Sequence, residues 1–189
     1  HKWPCHLEDC LKAYQAVLDL GYDPSKLVLM GESAGGTMVL SLGLYLRDHG
    51  MPLPGAIVSF SPCVNQYDGF PSHRDNAKTD YMLGDAVNSE GQLDAVFGED
   101  RPEGLLNSPY VSPYYADFTD MPPVFLAASD IEALYDDSVY MYEKLKAAGH
   151  PAELDVQKGL CHAYPIFPEI PESQDTMNKA FGFIHKYVK

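Results

Sequence analysis

Between residues 5 and 20 the apolar positions Leu7, Cys10, Leu11, Tyr14, Val17 and Leu18 return at steps of three and four, the spacing of one face of an α-helix. Gly21 stands where a left-handed cap closes such a helix, and Pro24 prevents its continuation. The pattern then changes period. Residues 26–30 form a short, mostly apolar run suited to a strand covered on both faces. A largely apolar helix is predicted over 34–47, ending before the breaker-rich stretch 49–55, and a second buried strand follows at 56–60. A third strand is predicted over 123–128, then a helix over 135–148 closed by Gly149. Residues 152–156 alternate like a fourth strand. A last helix over 173–188 places Met177, Ala180, Phe181, Ile184 and Tyr187 on one face.

Strands alternating with helices imply a parallel sheet covered on both faces, so the fold class is α/β. One catalytic domain over 1–189 accommodates all of these elements. Residues 61–121 differ in texture, being rich in Pro, Gly, Asp and Tyr, with one helical piece near 84–97. An excursion of that length between two strands is usually functional, and a cap-like segment is expected there.

Composition narrows the field. The chain is 46% hydrophobic and 21% charged, which is ordinary for a globular protein, and no apolar run is long enough to span a bilayer. A formal net charge of −14 argues against nucleic acid and against anionic membranes, both of which demand clustered Lys and Arg. The Cys/His-rich start (His1, Cys5, His6, Cys10) lacks the paired C-x-x-C spacing of zinc sites, so it reads as helix-face cysteines. No metal and no cofactor are expected. Cysteine usage and the missing signal pattern point to a cytoplasmic protein.

The chemistry centres on G31-E32-S33-A34-G35-G36. A G-x-S-x-G pattern between a buried strand and a helix presents its serine on a strained turn, and glycines at both flanks avoid collision with neighbouring backbone. Ser33 is therefore the candidate nucleophile. The backbone N–H of Ala34, at the start of the helix, is a candidate oxyanion donor. A serine nucleophile needs a general base, and the chain order in such folds is serine, acid, histidine. Of seven histidines, His162 in the loop after the fourth strand is the one that meets this order. For the acid, S129-D130-I131-E132 offers two carboxylates just after the third strand, and the residues alone do not separate Asp130 from Glu132.

Taken together, these segments resemble the hormone-sensitive-lipase-like branch of the α/β-hydrolases, bacterial carboxylesterases with a G-[DE]-S-A-G-G elbow. "HLEDCLKAY" and "LGYDPSKLVLMGESAGG" resemble the family's approach to the nucleophile. "NSPYVSPYYADFTDMPPVFLAAS" resembles its approach to the acid strand, and "GLCHAY" its histidine loop. The resemblance implies the acid as well. Family members carry a carboxylate followed by Leu two residues later and Asp four residues later, which fits Glu132, Leu134 and Asp136, and it lies nine residues after the strand-opening proline, here Pro123. On that basis Glu132 is the expected acid and Asp130 its rival.

The family's oxyanion hole also uses an H-G-G-G segment after an earlier strand, and residues 1–189 contain none. The expectation is that the chain is the C-terminal portion of an α/β-hydrolase. A second chain or a cleaved N-terminal segment would then supply H-G-G-G and the first strands of the sheet. The activity implied is hydrolysis of short- to medium-chain esters of small molecules through an acyl-enzyme. The aromatic residues Tyr67, Phe70, Tyr81, Tyr110, Tyr114 and Tyr115 are candidates to line the substrate pocket. Two readings compete. A prolyl-oligopeptidase-type peptidase shares the fold and triad order but usually has an aromatic residue where this chain has Ala34. A non-catalytic binding protein of the same fold would tend to lose the histidine or the acid, and candidates for both are present.

Overall fold

The computed structural model describes all 189 residues. Four parallel strands, β1 (Val28–Glu32), β2 (Ala56–Phe60), β3 (Val124–Ser129) and β4 (Ala152–Gln157), lie side by side in chain order. Register is continuous across the sheet: Leu29 pairs with Ile57, Ile57 with Val124, and Val124 with Ala152. The helices are α1 (Cys5–Asp19), α2 (Ala34–Asp48), α3 (Pro71–Asp75), α4 (Glu90–Phe97), α5 (Tyr135–Ala147) and α6 (Pro171–Tyr187).

Alternation along the central strands sorts the core into two layers. Ile57, Val124 and Leu126 point to one face and pack with Leu40 and Leu44 of α2 and Met141 and Leu145 of α5. Ala56, Val58, Phe60, Phe125 and Ala127 point to the other, against Ala180 and Phe183 of α6. Leu7 and Tyr14 of α1 cover Leu42 and Leu46 on the far side of α2. Both faces of β2 and β3 are thus dry, which is why those strands read as unbroken apolar runs. The outer strand β1 is only half-buried, and Met30 is 42% exposed, short of the two-sided cover its sequence suggests.

Two helix readings shift. The helical piece in the excursion begins at Glu90, not near 84, because Ser89 caps it by accepting from the Gln92 N–H. On α6 the buried aromatic is Phe183, while Phe181 is 47% exposed. The inner face of that helix is centred on Thr176, Ala180 and Phe183, and Thr176 is buried because its hydroxyl bonds Tyr164 and Asp155.

The turn from β1 into α2 is tightly packed backbone on backbone. A Cβ on Gly31 would sit 2.3 Å from the Gly35 carbonyl oxygen. Gly35 itself has open space where its Cβ would be, so its own side chain is not what the turn excludes. Gly36 is the second close approach, 2.9 Å from the Phe60 carbonyl, and there it lets α2 lie directly on β2. Gly31→Ala is therefore expected to cost about 1–3 kcal/mol through overpacking, whereas Gly35→Ala is expected to stay within about 0.5 kcal/mol of the parent. Urea unfolding of the two variants measures the difference, and equal costs at both positions would contradict the packing described.

Candidate active site

Ser33 occupies the one-residue hinge between β1 and α2, with φ 54° and ψ −123°. A β-carbon in that region of backbone space is strained, so surrounding bonds must hold it there. The Ser33 N–H donates to the Phe60 carbonyl at 2.9 Å, and its carbonyl accepts from the Thr37 N–H at 3.1 Å. The result is a hydroxyl raised above the carboxyl end of the sheet, where open α/β sheets place ligands. Ala34 is the first residue of α2, so its N–H has no intrahelical acceptor. It borders the same cavity as Ser33.

Ser33, His162 and Glu132 converge. His162 Nε2 lies 2.8 Å from Ser33 Oγ, and its Nδ1 lies 2.9 Å from Glu132 Oε2. Glu132 is fully buried, and its other oxygen accepts the Ser129 N–H at 3.1 Å. The imidazole is almost as deeply enclosed, at 3% exposed. A ring held between a carboxylate and a hydroxyl has its tautomer set: with the proton on Nδ1 towards Glu132, Nε2 is free to accept from the serine. Asp130 stands elsewhere. Its Oδ1 accepts the Gly159 N–H at 2.8 Å, so it bonds the backbone of the histidine's loop rather than the ring.

The excursion 61–121 holds the turn that carries Glu132, through residues with no distinguishing pattern in the sequence. Asn76 donates to the carbonyls of Asp130 and Glu132, at 3.1 and 3.0 Å. Thr79 donates to the Ile131 carbonyl at 2.9 Å, and Asp80 accepts the Ala133 N–H at 2.8 Å. Ser72 bonds both the Ala133 carbonyl and the Asp136 N–H. One turn further on, fully buried Asp137 accepts from the Val64 N–H, the Asn65 N–H and His73. Burial pushes its carboxyl above the usual range, against the pull of those three donors. In sequence these are scattered small polar residues, which read simply as loop.

A cavity of about 190 Å³ opens beside Ser33. One wall is Ala34, Thr37 and Met38 of α2, and the opposite wall is Leu83, Val87, Leu93, Val96 and Phe97. Trp3 and His6 close a side, with the Trp3 and Phe97 rings 6.3 Å apart and the Trp3 N–H bonded to the Val96 carbonyl. Cys63 borders the cavity too, its thiol pushed well up by burial and by the nearby Asp137. None of the six candidate aromatics lines this space. Tyr81 is 85% exposed, Tyr110 and Tyr115 bond Asp48 and Asp68, and Phe70 packs edge-on against Tyr114. Leu83, Val87 and the α4 residues Leu93, Val96 and Phe97 form the wall instead, with Trp3. No helix of the chain is long and apolar enough to cross a membrane.

Residues 1–166 match a family described as having the alpha/beta hydrolase fold. The chain is 27% identical over 183 residues to an acetyl-hydrolase of Streptomyces hygroscopicus, covering 96% of itself and 60% of that protein. It is 32% identical over 193 residues to the carboxylesterase/phospholipase LipF of Mycobacterium tuberculosis (strain ATCC 25618 / H37Rv), covering 97% of itself and 50% of LipF. A solved esterase from the bacterial hormone-sensitive lipase family superposes with a TM-score of 0.85 at 32% identity, across 100% of this chain and 62% of that one. The chain thus spans roughly half to three-fifths of the length of the relatives it matches. On these grounds the chain belongs to the α/β-hydrolase fold family, in its hormone-sensitive-lipase-like branch.

Proposed function

We propose that the protein is a serine carboxylesterase acting on short- to medium-chain esters, with Ser33 as nucleophile, His162 as general base and acid, and Glu132 as the acid that orients it. The observation carrying this reading is the continuous bonded line from Ser33 Oγ through both ring nitrogens of His162 to the buried Glu132 carboxylate. Relatives named acetyl-hydrolase and carboxylesterase support the ester as the bond cleaved. The apolar cavity beside Ser33 supports an acyl or alcohol group of modest size.

In this mechanism Ser33 Oγ attacks the ester carbonyl while His162 Nε2 takes the hydroxyl proton. The Ala34 N–H donates to the oxyanion, helped by the dipole of α2. Collapse of the tetrahedral intermediate expels the alcohol, which receives the proton from His162, and leaves an acyl-serine. Water, deprotonated by His162, then attacks the acyl-serine, and the carboxylic acid departs as Ser33 recovers its proton. The Glu132 carboxylate stabilises the imidazolium that forms twice per turnover. We assign residues 61–121 to the cap over this site, since α4 and its flanks form the wall facing Ser33. All four cysteines are free, which supports a reducing compartment such as the cytoplasm.

Steady-state and burst kinetics with a p-nitrophenyl ester test the assignment. Ser33→Ala and His162→Ala are each expected to lower kcat/KM by about 10³-fold or more. Glu132→Gln is expected to cost about 10²–10⁴-fold, because an amide can stabilise the wrong imidazole tautomer. Hydrolysis at the parent rate in Ser33→Ala would refute the nucleophile, and a fully active Glu132→Gln would refute the acid.

A further inference from the structure

We propose that Asp130 is a positioning residue, a strut that sets the height of the His162 loop above Ser33. The inference rests on the reading of Ser33, His162 and Glu132 given above and adds to it a residue outside that line. His162 sits in an irregular stretch that leaves β4 at Gln157 and reaches a short helical turn at Tyr164–Ile166. Within that stretch three backbone donors are held by side chains from other strands' ends. The Gly159 N–H goes to Asp130 Oδ1 at 2.8 Å, the Leu160 N–H to Ser129 Oγ at 3.0 Å, and the Ala163 N–H to Ser61 Oγ at 3.2 Å.

Asp130 grips the loop from both sides of its own residue. Its N–H donates to the Gln157 carbonyl at 3.0 Å, while its carboxylate receives the Gly159 N–H. The point where the loop leaves β4 is therefore bracketed by one residue of the neighbouring strand's end. The carboxylate bond is the charge-assisted member of the three, hence the stiffest. The same short segment also carries Glu132, whose carboxylate holds the imidazole on one edge and the Ser129 N–H on the other. Base and acid are in this way referenced to a single turn, residues 129–132, so that motion of one carries the other.

The geometry matters because proton transfer needs the ring within about 2.6–3.2 Å of the hydroxyl. Asp130 borders neither Ser33 nor the cavity, so its effect on turnover would run through the loop alone. Being half-exposed, it can be changed without opening the core.

The test compares Asp130→Ala with Asp130→Asn in the protein at its native length, using burst kinetics with a p-nitrophenyl ester. Asp130→Ala removes the acceptor, and a burst rate and kcat about 10–100-fold lower are expected, with KM within about twofold and burst amplitude unchanged. Asp130→Asn keeps an acceptor oxygen facing Gly159, and rates within about threefold of the parent are expected. Parent-like rates in Asp130→Ala overturn the proposal. So does an Asp130→Asn variant as slow as Asp130→Ala, since the charge and not the strut would then be what counts. A fall in burst amplitude at unchanged rate marks loss of folded protein and overturns it as well. Ser33→Ala is measured alongside: if it hydrolyses at the parent rate, the reading of the site itself fails, whatever the Asp130 variants do.

Discussion

A carboxylate taken fully out of water must be partnered, and much of the upper side of this molecule is organised around one such group. Glu132 has no exposed surface, and its two oxygens are claimed by the His162 ring and the Ser129 N–H. An unpaired charge there would cost several kcal/mol, so the imidazole is held in place by the same need that keeps the acid bonded. The turn carrying Glu132 is in turn tied down by Asn76, Thr79, Asp80 and Ser72, all from the excursion after β2. The excursion thus has two duties: it walls the cavity on one side and fixes the turn of Glu132 on another.

The second constraint is the strained hinge at Ser33. Positive φ at a residue with a β-carbon persists only where neighbours over-determine it. Here β1 supplies Gly31, which lets the backbone of Gly35 pass close by, and β2 supplies the Phe60 carbonyl for the Ser33 N–H. Gly36 lets α2 settle on β2, and buried Thr37 bonds the Cys63 carbonyl, locking the helix start to the beginning of the excursion. The position of Ser33 follows from strand-to-helix packing, and His162 is brought to it from the loop after β4 at the far side of the sheet.

Much of this was legible in the sequence, and the exceptions share a cause. Strands β2 and β3 announce themselves because both faces are dry, and the elbow because its glycines and serine fall between a strand and a helix. The acid was ambiguous by residues alone. Asp130 and Glu132 lie two positions apart after the same strand, and which one faces the histidine is decided by a turn whose bonds come from residues some fifty positions earlier. On α6, Ala180 is buried and Met177, Ile184 and Tyr187 pack on the core as their spacing predicts, and only Phe181 departs, for a similar reason. Thr176 is polar in sequence yet buried by its bonds to Tyr164 and Asp155, which rotates Phe183 inward and Phe181 out. The cavity wall is not legible in the sequence, because Trp3 and the residues in and around α4 that enclose the space are far apart along the chain and carry no shared pattern. Hydrophobic periodicity reports burial in regular elements, and it is silent on polar side chains that fix loops across the fold.

The central claim is that the His162–Glu132 pair activates Ser33, and covalent labelling reads this directly. The protein at its native length would be treated with a fluorophosphonate, digested and mapped by mass spectrometry, with His162→Ala treated in parallel. The account predicts a single adduct on Ser33 that forms rapidly in the parent and at least about a hundredfold more slowly in His162→Ala. An adduct on any other residue, no adduct at all, or labelling of Ser33 at equal rates in both proteins would contradict it.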